Sequence, residues 1–269
     1  MRRVDLASDG TAATDTTRTG FPSVDRWLGG GIRRGDLVVL GGDVGSGKSA
    51  LALAMALRMA QAGTKVAFLT GEMTTERVME RALAVEGRAR VDELRSGALS
   101  ELTRASVGAA AIRLRDHPPV VQSLARGSID ALRAQIEALD VEALVIDPLQ
   151  ALAGGAGAED DALAVAVRTL KGIALDRDIA VLVTAHLPGW TLRTDPRPTL
   201  EDFGALGAVK QHADVVMAIY REEMYAPGYG VEGGTELLVR KNRNGTTGYV
   251  DLYFYKQWLR FEDMLDPDR

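Results

Sequence analysis

The chain has 269 residues, 46% of them hydrophobic, and a formal net charge of −5, which suits a single globular α/β unit. No apolar run approaches the roughly 18 residues of a membrane-spanning helix, and the acidic balance excludes wholesale coating by nucleic acid while leaving room for a local basic channel. Zero cysteines exclude disulfides and thiolate metal sites, and the polar stretch after Met1-Arg2-Arg3 carries no apolar secretory core, so a cytoplasmic location is expected.

Residues 1–18 are poor in apolar side chains and read as a flexible N-terminal arm, with one folded domain over 19–269. Leu37-Val38-Val39-Leu40 reads as a buried strand and residues 50–62 as a helix. Between them Gly42, Asp43, Val44, Gly45, Ser46, Gly47, Lys48 and Ser49 fit G-x-x-x-x-G-K-[ST] without a mismatch, in the strand-loop-helix setting that this motif requires. Glycines at 42, 45 and 47 let main-chain N–H groups converge on phosphate oxygens at the positive end of a helix. Lys48 is the point charge for the β- and γ-phosphates, and the Ser49 hydroxyl is a ligand for Mg²⁺. A glycine-rich turn with an incidental lysine would not carry all of these features.

Further short apolar runs at 65–70, 143–146, 179–184 and 215–220 alternate with helical patterns at 75–86, 100–116, 128–139 and 160–176. That alternation predicts an α/β fold with a doubly wound, mostly parallel sheet. After Gly233 the runs 236–240, 249–255 and 258–261 surround Asn244-Gly245 and read as an antiparallel C-terminal extension. Residues 154–158 and 188–198 are the interior loops.

Polar side chains at strand ends complete the chemistry. Asp147 closes Val145-Ile146 and is a second metal ligand, unless it merely caps the turn before Pro148. Glu72 follows the 65–70 strand, where ligands of open α/β sheets sit, and is the candidate general base; the alternative is a charge at the start of the next helix. His186 ends the 179–184 strand as a γ-phosphate sensor or as a buried histidine. Lys241 and Arg243 alternate onto one strand face, either as a solvated hairpin cluster or as cations that act on another subunit's phosphoryl group.

Over residues 19–263 the chain resembles the RecA-like motor domain of DnaB-type replicative helicases. The resemblance rests on Thr19-Gly20-Phe21, Val24-Asp25, the phosphate loop, Gly71-Glu72-Met73 and Asp147-Pro148-Leu149-Gln150. It continues through Arg168-Thr169-Leu170-Lys171, Gln211-His212-Ala213-Asp214, Tyr220-Arg221-Glu222-Glu223, Lys241-Asn242-Arg243-Asn244-Gly245 and Trp258-Leu259-Arg260-Phe261. It implies a RecA-like P-loop NTPase and 5′-to-3′ DNA helicase that uses ATP and Mg²⁺, assembles as a hexamer and moves on single-stranded DNA. Glu72 would be the catalytic carboxylate, Asp147 the Walker-B residue, and Lys241 with Arg243 the pair acting in trans. Leu28-Gly29-Gly30-Gly31 and Gly41-Gly42-Asp43 also look like RadA- and KaiC-like proteins, an alternative in which the ATPase regulates or assists recombination without unwinding.

Two departures stand out. His186 replaces the family's Gln and Leu187-Pro188 the Asn-Arg after it, while Gly204 and Ala205 replace an Arg-Glu pair in the segment resembling the central DNA-contacting loop. Trp190, Arg193, Arg197 and Lys210 lie on or beside this region and either substitute by stacking and charge or are ordinary loop residues.

Overall fold

Short β-branched runs bounded by polar turns set the layout, seen in a computed structural model that describes residues 15–125, 129–154, 159–188, 193–228 and 230–264. A two-stranded ribbon, β1 (Thr16–Thr17) antiparallel to β2 (Ile32–Arg33), encloses helix α1 (Pro22–Trp27). The main sheet starts with β3 (Leu37–Gly42), followed by α2 (Lys48–Gln61), β4 (Val66–Thr70), α3 (Thr75–Gly87), α4 (Val91–Ser96), α5 (Glu101–Asp116) and β5 (Val120–Ser123). It continues through α6 (Ile129–Glu137), β6 (Ala143–Asp147), α7 (Leu149–Leu152), α8 (Asp160–Arg177), β7 (Ala180–His186), α9 (Ala208–His212) and β8 (Val215–Tyr220). Strands β9 (Gly234–Asn242), β10 (Gly248–Tyr255) and β11 (Arg260–Asp263) close the chain.

The strand order is β11-β10-β9-β8-β3-β7-β6-β4-β5. From β8 to β5 all pairings are parallel, and β9, β10 and β11 extend the β8 edge antiparallel. The expected mostly parallel sheet with an antiparallel extension is therefore present.

Alternation along each central strand feeds two apolar layers. Val38 and Leu40 face α1, α2 and α3, whereas Leu37 and Val39 face α6 and α8; Val145 and Ile146 on β6 divide in the same way. Helix α2 is buried almost all round, because Ala and Leu fill most of it and the sheet, α1 and the C-terminal hairpin cover it. Among the described residues no helix is long and apolar enough to cross a membrane.

Three details differ from the sequence reading. Thr16 and Thr17, assigned to the arm, pair with Arg33 and Ile32, so the ordered fold begins ahead of Thr19; the rest of the arm up to residue 14 lies outside the described residues. Strand β5 went unread because it is a half-exposed edge with only two valines, and its position depends on pairing with β4. The 258–261 run is split: Lys256–Trp258 is a 3₁₀ turn, Leu259 has φ 53°, and β11 starts at Arg260. Residues 155–158 and 189–192 of the two interior loops lie outside the described residues.

The hairpin positions the site from below. On β10, Val250, Leu252 and Phe254 alternate inward, and the Phe254 ring stacks on Phe261 with centroids 4.4 Å apart. Phe261 is fully buried beneath the phosphate loop, where a Cβ on Gly47 would come within 2.8 Å of its ring. Phe261→Ala is expected to lower stability by about 3–5 kcal/mol, read as a reduced denaturant midpoint.

Candidate functional site

Strand β3 delivers Gly42 to the carboxyl edge of the sheet, and the next seven residues turn through a loop into α2. Gly47 caps the helix at φ 100°, a left-handed conformation that leaves the first-turn N–H groups without side-chain acceptors. At Gly42 a Cβ would fall 2.4 Å from Ser46 Oγ, so the close return of the loop needs a bare α-carbon. Val44 at the tip is three-quarters exposed. From behind, the Arg221 guanidinium donates to the carbonyls of Gly45 at 3.2 Å and Ser46 at 3.5 Å, pairs with Glu223 and stacks over Phe254. Within the loop the Val44 N–H is taken by the Asp43 carboxylate at 2.6 Å and the Ser46 N–H by the Asp43 carbonyl at 3.2 Å, while the first turn of α2 has no side-chain cap and two loop carbonyls are drawn toward Arg221, so the helix end can receive an anion.

Two opposite charges lie buried at this edge. Lys48 places Nζ 3.5 Å from the Asp43 carbonyl, and burial holds its ammonium below the usual lysine pKa despite the nearby Asp147 and Glu72. Asp147 is 1% exposed; its Oδ1 accepts from Ser49 Oγ at 2.9 Å and from Thr184 Oγ1, and burial pushes its carboxyl above the usual range. Its Oδ2 is buried without a partner in the chain, an unusual state for a carboxylate oxygen. Ser49 and Asp147 offer hard oxygen donors, and among the described residues no group of three or more His, Cys, Asp or Glu is arranged to hold a metal ion. That donor set fits Mg²⁺, which keeps most of its shell as water and phosphate oxygen.

Glu72 and His186 meet beside this pair. Strand β4 is in register with β6, Thr70 opposite Asp147, and Glu72 follows two residues later with a half-exposed carboxylate. His186 Nε2 lies 2.8 Å from Glu72 Oε1. The His186 main chain is fixed by the Gln150 carboxamide, whose Oε1 accepts from His186 N at 3.0 Å and whose Nε2 donates to His186 O at 3.2 Å. Gln150, Thr184 and Arg221 are site residues that sequence reasoning did not assign. Their signal was a polar side chain at the end of, or just after, a buried strand, the same signal that exposed Asp147.

Lys241 and Arg243 do not join this cluster. They sit at the amino edge of the sheet, because β9 runs antiparallel to β8 and pairs Asn242 with Val215. Lys241 Nζ donates to the carbonyls of Lys210 at 2.7 Å and Ala213; Arg243 donates to Asp214 Oδ1 at 3.0 Å and to the Gln211 carbonyl at 2.9 Å. The main chain links Arg243 to Asp214 and Asp214 to Leu37, at the start of β3, whereas the phosphate loop follows the end of β3. That strand alone separates them by roughly 17 Å at about 3.3 Å per residue.

The segment ahead of α9 is held by ion pairs. Arg193 forks onto Asp202 at 2.7 and 2.6 Å, Arg197 onto Glu236 at 2.7 and 2.6 Å, and Lys210 pairs with Glu201 at 2.5 Å. Gly204, Ala205, Leu206 and Gly207 all have φ between 51° and 75°. The cations expected to stand in for a missing phosphate clamp thus have partners in their own chain, and Trp190 lies outside the described residues.

Because the folded state raises the Asp147 pKa, stability is lost as pH climbs from the unfolded value toward the raised one, and the full cost remains at every pH above it. Removing the ionisable group relieves this at neutral pH and does nothing below the unfolded value, where both states are protonated. Asp147→Asn is therefore expected to raise the melting temperature of the nucleotide-free protein at pH 7, with the gain shrinking as pH falls.

The sequence matches the family described as DnaB-like helicase C terminal domain over residues 16–263. It is 30% identical over 262 residues to "Replicative DNA helicase DnaC" of Bacillus subtilis (strain 168) and 29% identical over 262 residues to "Replicative DNA helicase DnaB" of Geobacillus stearothermophilus. Each alignment covers 91% of this chain and 56% of the relative, so the chain spans little more than half the length of these curated relatives. Among solved structures, a DnaB-like replicative helicase described with its primase interactions superposes with a TM-score of 0.86 at 21% identity, covering 97% of this chain and 65% of that one. A KaiC-like protein from Pyrococcus horikoshii OT3 superposes at 0.66 with 16% identity, covering 94% of this chain and 100% of that one. The sheet is the RecA-like ATPase fold, nearer in shape to the helicase than to the KaiC-like protein. By its match over nearly the whole sequence, the chain belongs to the DnaB-like helicase C-terminal domain family.

Proposed function

We propose that this chain is the motor domain of a cytoplasmic, ring-forming ATPase of the DnaB helicase class. It hydrolyses ATP between subunits of a hexamer and moves 5′ to 3′ along single-stranded DNA. The observation that carries the reading is the placement of complementary groups at opposite edges of one sheet. The phosphate loop, Lys48, Asp147 and Glu72 are at the carboxyl edge, and Lys241 with Arg243 are at the amino edge. No single chain closes that gap, whereas head-to-tail association brings the two edges together.

In this reading Gly42, Asp43, Val44, Gly45, Ser46 and Gly47 form the loop whose N–H groups hold the phosphates, and Lys48 contacts the β- and γ-phosphates. Ser49 and Asp147 hold Mg²⁺, which supplies positive charge against the phosphate oxygens. Glu72 accepts the proton of the attacking water, and His186, fixed by Gln150, orients Glu72 and senses the γ-phosphate. Lys241 and Arg243 of the adjoining subunit stabilise charge on the transferred phosphoryl group.

A second reading, a KaiC-like or RadA-like ATPase that assembles without unwinding, is favoured by the altered segment at Gly204 and Ala205, where nearby cations are neutralised within the chain. Single-stranded DNA should stimulate turnover of a motor in a salt-sensitive way, whereas unchanged turnover at low salt would select the regulator. Lys48→Ala is expected to abolish nucleotide binding in a fluorescent-nucleotide titration. Arg243→Ala should bind nucleotide normally yet lose about 10³- to 10⁵-fold in kcat; wild-type turnover from Arg243→Ala would overturn the trans assignment.

A further inference from the structure

Asp214 is 4% exposed, and its interactions meet at the point where β3, β8, β9 and α9 converge. Its Oδ2 accepts from the Leu37 N–H at 2.8 Å and from Lys171 Nζ at 2.6 Å, and that ammonium also donates to the Gly35 carbonyl at 2.7 Å. Its N–H donates to the Leu37 carbonyl and its carbonyl accepts from the Arg243 N–H, both at 2.9 Å. The remaining carboxylate oxygen, Oδ1, is the acceptor for the Arg243 guanidinium. The carboxylate is therefore immobilised by the sheet on one side and holds a half-exposed arginine on the other.

The rest of the seat is the end of α9. Gln211 offers its carbonyl to the same guanidinium, while Lys210 and Ala213 offer theirs to Lys241 Nζ. Carbonyls in the last turn of a helix lack intrahelical donors and favour cations. These bonds leave further N–H donors on each side chain for an incoming phosphoryl group. Since α9 follows directly on residues 204–207, the position of that segment also sets the position of three of the four acceptors.

We propose that Asp214 is a positioning residue, which with the carbonyl end of α9 seats Arg243 and Lys241 for the neighbouring subunit's nucleotide. The inference rests on the reading that these cations act in trans. A guanidinium left to wander by about 1 Å forfeits on the order of 10²-fold in rate, so a preset seat matters even though Asp214 touches no substrate.

Complementation tests it. Asp214→Asn alone should retain assembly, nucleotide affinity and KM, and lose about ten- to a hundredfold in kcat. Mixed with Lys48→Ala subunits, whose phosphate loop is dead but whose cations are intact, Asp214→Asn should regain turnover. Mixed with Arg243→Ala subunits, which lack the same function, it should not. Should Asp214→Asn melt early for want of a full partner for Lys171, the pair Asp214→Asn with Lys171→Met is expected to give the same pattern. Wild-type kcat in Asp214→Asn overturns the proposal. So does failure of Lys48→Ala to rescue Asp214→Asn while it rescues Arg243→Ala, because the defect then lies in the variant's own fold or loop. If Lys48→Ala rescues neither, the trans reading itself has failed.

Discussion

Lys48 and Asp147 carry opposite charges beneath the surface at the carboxyl edge of the sheet, and neither has enough partners in the chain to balance what leaving water costs. The effective penalty for a buried ion is several kcal/mol, and an incompletely hydrogen-bonded pair does not recover it. Burial accordingly drives both groups toward their neutral forms, the lysine downward and the aspartate upward. The surroundings make this tolerable. Helix α2 is buried along nearly its whole length, and Phe254 and Phe261 close the floor, so apolar packing around the loop offsets the electrostatic penalty. What remains is a demand for a guest with both signs of charge, phosphate for the lysine and loop amides, a cation for the idle Asp147 oxygen. A ligand that meets that demand stabilises the fold through the groups that destabilise it when empty.

Under the proposed function, the direction of the strands turns this local demand into an assembly. Parallel strands place all their carboxyl ends on one side, so the loop, Asp147, Glu72 and His186 gather there from β3, β6, β4 and β7. An antiparallel strand added at the edge returns the chain to the opposite side and carries Lys241 and Arg243 with it. Under the proposed function each subunit thus presents two different half-sites on opposite edges. Contacts between unlike surfaces generate rings or open helices rather than isolated pairs. The lysine and arginine are already oriented before any neighbour arrives, which reduces the ordering entropy of completing the site.

Much of this was legible without coordinates, for a physical reason. The phosphate loop imposes residue identities over eight consecutive positions, and fully buried parallel strands read as apolar runs whatever their neighbours. The residues to which the sequence assigned no role act through geometry that only pairing creates. Arg221 reaches the carbonyls of Gly45 and Ser46 from 175 positions or more along the chain, and Gln150 pairs with the main chain of His186 like a short extra strand. Asp214 reads as an ordinary residue before a strand until Lys171, Leu37 and Arg243 are seen around it. Strand β5 and the Thr16–Thr17 ribbon escaped for the same reason, since a short edge segment derives its conformation from its partner rather than from its own composition.

The segment between β7 and α9 bears on the choice between the motor and regulator readings, and the three cations on or beside it, Arg193 and Arg197 within it and Lys210 on α9, are not equivalent. Arg197 forks onto Glu236 with both partners partly buried, and its guanidinium lies 4.5 Å from the Tyr220 ring centre. Burial, charge and planarity together fix it as a strut between this segment and β9. Arg193 is likewise forked onto Asp202, whose carboxylate also accepts from the Thr199 N–H and caps the 3₁₀ turn at Leu200. Removing either arginine to serve a phosphate would unfasten the segment that was to present it. Lys210 differs, since its pair with Glu201 is exposed on both sides and such a pair is worth about 0–1 kcal/mol, less than a phosphate offers. Of the three, Lys210 is therefore the cation that nucleic acid can recruit without dismantling the fold. It lies on α9, where its own main-chain carbonyl holds Lys241 Nζ. Under the proposed function, a strand that drew Lys210 away from Glu201 would pull on the helix proposed to seat Lys241 and Arg243, and DNA contact would then have a direct physical route to the rate of hydrolysis.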